Sequence, residues 1–307
     1  MKEPLPDATV SFKTLFTMNK SRLPGNRSIR LTWYRVFLPI LLLLGGVFPF
    51  QSMAQGNLLL TPQRVIFEGT KRIEELNLAN TGRDTARYVI SLINLRMKED
   101  GGFEEISQPD TGQNFADKWV RFFPHSVFLG PQESQLVKIQ LTRPGGMQPG
   151  EYRSHIYFRA IPDQKPLGEK EPVPDSSISV HLIPVFGVSI PVIIRVGPST
   201  TQTSLSDLSL ERGTDTVPVL NLAFHRTGSM SVYGDISVDH IPAQGKTVRV
   251  GTVRGIAVYT PNSIRRFRMP LENAKGVDYH SGKLKVVYTT PSNHKPVTIT
   301  EAELILH

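Results

Sequence analysis

From Gln55 onward, apolar residues recur with a period of two. Short runs rich in Val, Ile, Leu, Tyr and Phe alternate with polar residues and are cut by Gly, Pro, Asn and Asp clusters. This spacing predicts strands over 64–68, 73–79, 86–97, 120–128, 136–142, 152–161 and 178–194. A second set is predicted over 205–210, 217–225, 231–238, 247–259, 264–271, 284–290 and 296–306. No stretch carries an amphipathic helical stripe longer than two turns. The segment Gly197–Ser204 (GPSTTQTS) separates the sets and has the composition of a linker. Two blocks of about seven short, turn-separated strands predict an all-β chain of two immunoglobulin-like β-sandwich domains. The expected division is a leader over 1–54, a first sandwich over 55–197 and a second over 198–307.

Two polar inserts interrupt the first block. Residues 98–118 and 163–177 are charged and rich in Pro and Gly, with too little apolar surface to order themselves, so both are expected to be mobile loops. The second leads directly into the longest apolar strand. There every even position from Ile178 to Ile190 is apolar, while the odd positions begin polar with Ser179 and His181. Such a strand suits either a central, doubly covered position or an edge that lends its backbone to a second polypeptide. Pro184 argues for the edge, because proline gives the ladder no N–H.

The residues before Gln55 read as an export signal. Basic residues ending at Arg35 precede the apolar run Val36–Phe50, and Gln51-Ser52-Met53-Ala54 follows with small residues at the −3 and −1 positions of a cleavage site. Cleavage is expected after Ala54, leaving no stable membrane insertion. The apolar run contains Pro39, Gly45, Gly46 and Pro49 and falls short of the roughly 20 residues that span a bilayer. Met1 and Met18 are both candidate starts. An exported chain without cysteine is expected in the periplasm, its cores made by packing alone.

Charge and composition narrow the chemistry. The net charge of +8 is concentrated in the leader, where seven basic residues face two acidic ones; the nearly balanced remainder lacks a basic block with interleaved aromatics, so nucleic acid is not an expected partner. The absence of cysteine removes disulfides, thiol nucleophiles and Cys-ligated metals. No Gly-x-Ser-x-Gly, His-Glu-x-x-His or phosphate-binding loop occurs, and no catalytic residue, metal site or cofactor is expected. His155 and His181 fall on predicted strands and read as ordinary strand histidines. Trp119, the single tryptophan beyond the leader, reads as a packing residue.

Several segments, taken together, carry a resemblance. Arg64-Val65-Ile66-Phe67-Glu68-Gly69 is followed by Leu76-Asn77-Leu78-Ala79-Asn80-Thr81-Gly82. Later come Phe123-Pro124 through Lys138 and Pro149-Gly150-Glu151-Tyr152-Arg153 through Pro162. Over most of 57–197 this resembles the periplasmic pilus chaperones of Gram-negative bacteria (PapD-like), whose first domain opens on an Arg-x-x-Phe-acidic-Gly motif. In the second block, the segment Arg226–Asp235 looks like segments of relatives of these chaperones.

The resemblance implies two sandwiches in an L-shaped arrangement that bind incompletely folded pilus or fimbrial subunits and lend them an edge strand for assembly at the outer membrane, with an usher as a further partner. By position, Leu182, Pro184 and Phe186 match the family's inserted residues, with Val180 next. Arg64 matches the first of two cations that hold the subunit's terminal carboxylate. The second, normally lysine, falls on Pro191 if Ile193-Ile194-Arg195 matches the usual strand end, a departure that leaves three readings open: a substitute cation among Arg87, Arg153 and Arg159, a different anchoring in this branch, or a divergent relative with another client. The alternative reading is a structural or adhesive sandwich protein of the cell envelope.

Overall fold

The computed structural model describes residues 58–142, 145–162, 185–212, 217–274, 276–292 and 295–307. Ala54–His307 forms one compact unit. The first block contains strands β1 (Leu58–Thr61), β2 (Val65–Phe67), β3 (Ile73–Asn80), β4 (Ala86–Ile93), β5 (Leu95–Met97), β6 (Phe103–Glu105), β7 (Val120–Phe123), β8 (Ser126–Leu129), β9 (Ser134–Leu141), β10 (Gly150–Ile161) and β11 (Gly187–Val196). The second contains β12 (Gln202–Glu211), β13 (Val219–Thr227), β14 (Val232–Ile241), β15 (Val248–Val258), β16 (Ile264–Pro270), β17 (Lys283–Thr289) and β18 (Thr298–Ile305).

Two sheets, β1-β3-β9-β7 and β2-β11-β10-β4-β8, face each other across the first core. The alternation read from sequence decides which side chains enter it. Along β3, Leu76, Leu78 and Asn80 are buried while Glu75 and Asn77 face water. Asn80 is satisfied by local bonds: its Nδ2 donates to the carbonyls of Asp84, Leu129 and Gly130, and its Oδ1 accepts from the Gly82 amide. The second core lies between β12-β13-β16 and β15-β14-β17-β18. There β14 alternates without a break from buried Val232 to half-exposed Ile241. The expected all-β pair of sandwiches is thus present. A small third cluster, Met97, Ile193, Ala257 and Tyr259 with Ile66 and Tyr233 against it, joins the two blocks.

All seven strands expected in the second block form. In the first, β1 and β6 went unseen by the periodicity, and two expected strands are divided. The run 86–97 breaks at Asn94, whose side chain donates to Asp117 and accepts from the Ser154 hydroxyl instead of standing on a sheet face. The run 120–128 divides at Pro124, which has no N–H for a ladder. The strand expected over 178–194 runs as β11 from Gly187 to Val196; residues 178–184 and the insert 163–177 lie outside the described residues.

The insert 98–118 corrects the expectation of a mobile loop. Its first part folds back as β6 against β5, and the Arg96 guanidinium grips Asp110 with two bonds of 2.6 Å. Gln113, almost wholly buried, donates to the Leu95 carbonyl. Its polar residues order the segment through specific pairs, a route that apolar content does not register. Among the described residues no helix is long and apolar enough to cross a membrane.

Candidate functional site

The edge of the β2-β11-β10-β4-β8 sheet is unevenly covered. On one side β11 pairs antiparallel with β10 along its whole length, from Arg159 opposite Gly187 to Gly150 opposite Val196. On the other, β2 pairs with it in parallel only over Val192, Ile193 and Ile194. Among the described residues, no strand pairs with that outer edge over Gly187–Pro191.

Hydrogen-bond parity decides which groups this edge presents. The Ala160 amide donates to the Phe186 carbonyl at 2.9 Å, so the backbone of Phe186, Val188 and Ile190 turns toward β10. Gly187, Ser189 and Pro191 turn theirs outward. Gly187 and Ser189 offer N–H and C=O; Pro191 offers only C=O and ends the usable ladder. The side chains follow the same period. Ile190 is 4 % exposed in the first core, whereas Val188 and Phe186 are 42 % and 41 % exposed beyond the core's end. Val185 is exposed on the opposite face. Of the sequence candidates here, Phe186 is in place as an exposed apolar side chain, and Val180, Leu182 and Pro184 lie outside the described residues.

Where β2 joins β11 the chain forms an open cleft of about 760 Å³, lined by Arg64, Arg195, Thr201, Ser231, Tyr233 and Pro291 among others. Arg64 stands one residue ahead of β2. Its guanidinium carbon lies 4.3 Å from the Tyr233 ring centre and 5.5 Å from that of Tyr259. One terminal nitrogen reaches the Ser231 hydroxyl at 3.5 Å, and Nε and Nη1 are buried without a hydrogen-bond partner. Stacking on aromatic faces holds the cation while leaving its N–H groups unused.

Arg195, near the end of β11, is the second guanidinium in this cleft. It donates to the Ser231 carbonyl at 3.0 Å, and its Nε lies 3.4 Å from Glu151, an ion pair too poorly aligned to be a hydrogen bond. Glu151 is buried in β10 and accepts from both the amide and the hydroxyl of Ser231. The Ser231 loop is braced by Arg226, which donates to the carbonyls of Gly228, Met230, Pro261 and Asn262. Burial first, opposed by nearby Glu151, moves the Arg226 guanidinium below its ordinary pKa.

The structure redistributes the other cation candidates. Arg87 and Arg159 are exposed on β4 and β10. Arg153 is buried, lies 4.3 Å over the Tyr259 ring and donates to the Thr260 carbonyl. Pro191 is half-buried opposite His155. Burial first, and then the Arg153 charge, press the His155 imidazole down to about 3. Arg195 is a cleft residue that the sequence reading did not single out. The signal available in sequence was its place on the strand that pairs with the one led by Arg64. Trp119 packs against the first core, and no group of three or more His, Cys, Asp or Glu among the described residues is arranged to hold a metal.

Arginines therefore outnumber carboxylates here, with Glu151 the buried carboxylate among Arg64, Arg153 and Arg195. An exposed strand edge ends beside this positive cleft. No protein-family model matches the chain, and no curated protein matches it in sequence. Solved structures do resemble it. The YadV chaperone is 13 % identical, with 82 % of this chain and 100 % of that one covered at a TM-score of 0.41. The E. coli chaperone DraB is 15 % identical, with 81 % and 96 % covered at 0.38. The Salmonella enterica SafA pilin in complex with the SafB chaperone matches at 14 % identity, with 81 % and 96 % covered at 0.37. Overlaps this loose carry no functional weight, so function is argued from the chain's own motifs and geometry.

Proposed function

We propose that this protein is a periplasmic chaperone that binds incompletely folded pilus, fimbrial or related surface subunits by lending them the open edge of β11. The observation that carries the reading is the uncovered edge of Gly187–Pro191 with Phe186 and Val188 exposed beside it. A sandwich that lacks a strand exposes an apolar groove and unpaired backbone groups, and an added strand satisfies both at once. Each large side chain buried in such a groove contributes roughly 1.5–3 kcal/mol. Val180, Leu182 and Pro184 belong to the same proposal as the extension of that edge ahead of Phe186.

The subunit's terminal carboxylate would dock on Arg64, which lines the cleft just ahead of β2, with Arg195 replacing the cation absent at Pro191. Export by the 1–54 leader and delivery to an outer-membrane usher complete the reading. It requires no cofactor, metal or nucleic acid and assigns no catalytic residue.

The test is affinity purification of the protein from the periplasm of its own host, with mass spectrometry of what co-elutes. A stoichiometric small β-rich subunit, lost with Phe186→Glu, is the expected result. Recovery of the protein only in sheared surface filaments would overturn it in favour of a structural or adhesive role.

A further inference from the structure

The β5–β6 hairpin, Leu95–Glu105, belongs by sequence to the first sandwich, yet its outer half rests on the second. The Arg266 amide donates to the Glu99 carbonyl at 2.7 Å, joining the hairpin to β16 backbone to backbone. Their side chains add an ion pair of 3.7 Å. At the tip, Gly101 has a φ of +85° and lies so close to Arg265 that a Cβ there would sit 2.5 Å from the guanidinium. That guanidinium in turn donates to the Ala257 carbonyl in β15. On the inner side, Met97 is buried against Ile193, Ala257 and Tyr259. The Phe103 ring stands 5.5 Å from the His155 ring and 6.1 Å from the Tyr259 ring.

Tyr259 is the shared member of these contacts. Besides Phe103 and His155 it meets Arg153 at 4.3 Å and Arg64 at 5.5 Å. A cation that makes one weak hydrogen bond is placed mainly by the rings it lies on. Anything that fixes the Tyr259 ring therefore restricts where the Arg64 guanidinium can point.

We infer that the β5–β6 hairpin is a clasp between the two sandwiches and that Phe103 and Tyr259 are positioning residues for Arg64. The clasp fixes the Tyr259 ring, and the ring together with Tyr233 holds the guanidinium toward the cleft. Its base is made rigid by the Arg96–Asp110 pair, so displacement at the tip moves the hairpin as a body. The functional meaning rests on the proposed role of Arg64 as a carboxylate anchor, whereas the geometry does not depend on a client.

The test is nuclear magnetic resonance of the 15N-labelled protein without any subunit, following the side-chain Nε–H of Arg64, assigned by its loss in Arg64→Lys. Phe103→Ala removes a half-exposed ring, and Gly101→Val strains the +85° φ of the tip and displaces the Arg265 guanidinium packed on it. The expected result is a changed Arg64 Nε–H shift in both variants and hydrogen exchange faster by roughly tenfold, the mark of a local opening. Core amides of each sandwich should keep their wild-type shifts. Phe128→Ala, on the far edge strand β8, should leave Arg64 unchanged. If Gly101→Val fails to fold, Phe103→Ala decides alone. Wild-type shift and exchange of Arg64 after loss of Phe103 would overturn the clasp without touching the chaperone reading, and failed subunit capture with a responsive Arg64 would do the reverse.

Discussion

The Arg64 guanidinium of the first sandwich lies 4.3 Å above the Tyr233 ring of the second, so the cation that opens the Arg-x-x-Phe motif is held by a residue outside it. Most buried arginines use their N–H groups on carboxylates or carbonyls. This one keeps Nε and Nη1 without a partner beside an open cleft. Both nitrogens are buried, so a bidentate contact with an incoming carboxylate requires the groups that cover them to move aside.

If Tyr233 holds the anchor, Tyr233→Leu should weaken subunit capture nearly as much as Arg64→Ala, whereas Tyr233→Phe, which keeps a ring face, should restore most of it. Titration of the purified client by each variant measures this. A ring face beneath a partly desolvated cation is worth about 1–2 kcal/mol, or roughly a five- to thirty-fold change in affinity. Equal capture by the Leu variant and the wild type would show that the ring plays no part.

Phe186→Glu and Val188→Glu should abolish capture while the thermal midpoint stays within a few degrees of wild type. Both side chains are about two-fifths exposed beyond the core, so a charge there stays solvated in the free protein but must be buried in a client groove. Circular dichroism melting checks the fold. A large drop in the midpoint would instead make these residues part of the core.

Glu151→Ala should destabilise the protein by about 3 kcal/mol in chemical denaturation, because it leaves Arg195 and both Ser231 donors facing a buried gap. The figure sits at the lower end for such pairs because the Arg195 side chain is 20 % exposed. Glu151→Gln keeps an acceptor for Ser231 and should recover part of the loss. Identical losses in the two variants would assign the whole effect to charge.

Stability should fall with pH below about 6.5 because of His155. Its folded-state pKa, lowered first by burial and then by Arg153, is about 3, against 6.5 when unfolded. Between these values the unfolded chain binds a proton that the folded chain refuses, so stability is full above 6.5 and is lost as pH falls toward 3. From pH 6.5 to 5 the loss is about 2 kcal/mol. His155→Phe should remove this slope, and an unchanged slope would locate the acid sensitivity elsewhere.

Asp110 titrates in a lower window. Its hydrogen bonds from Arg96 hold the carboxyl below its ordinary value of 3.8, so the stability it lends the hairpin is present above that value and disappears as pH falls through its depressed pKa. Asp110→Asn should therefore loosen the hairpin at neutral pH, read as faster exchange of the Lys98 and Gly101 amides. Unchanged exchange would mean that the backbone turn holds the hairpin by itself.

Much of this protein is written in local pattern. Period-two alternation placed all seven strands of the second block and most of the first, since alternate side chains on a pleated strand must face opposite ways. Sequence also named Arg64 and Phe186 as candidates, one from its motif and one from its place in the apolar run Ile178–Ile190; the structure sets Arg64 at a cleft and leaves Phe186 exposed. What sequence could not supply was pairing. Whether the edge of Gly187–Pro191 is open depends on where the three-residue β2 stops beside β11, and no property of either segment alone encodes that. Pairing of β2 with β11 brings the cleft's second guanidinium, Arg195, to Arg64 from far along the chain, and the Tyr233 ring beneath Arg64 arrives only when the two sandwiches meet. The insert at 98–118 makes the same point: its composition suggested motion, but a polar segment is ordered by which partners reach its charges, and Arg96, Asp110 and Arg266 find theirs only in three dimensions.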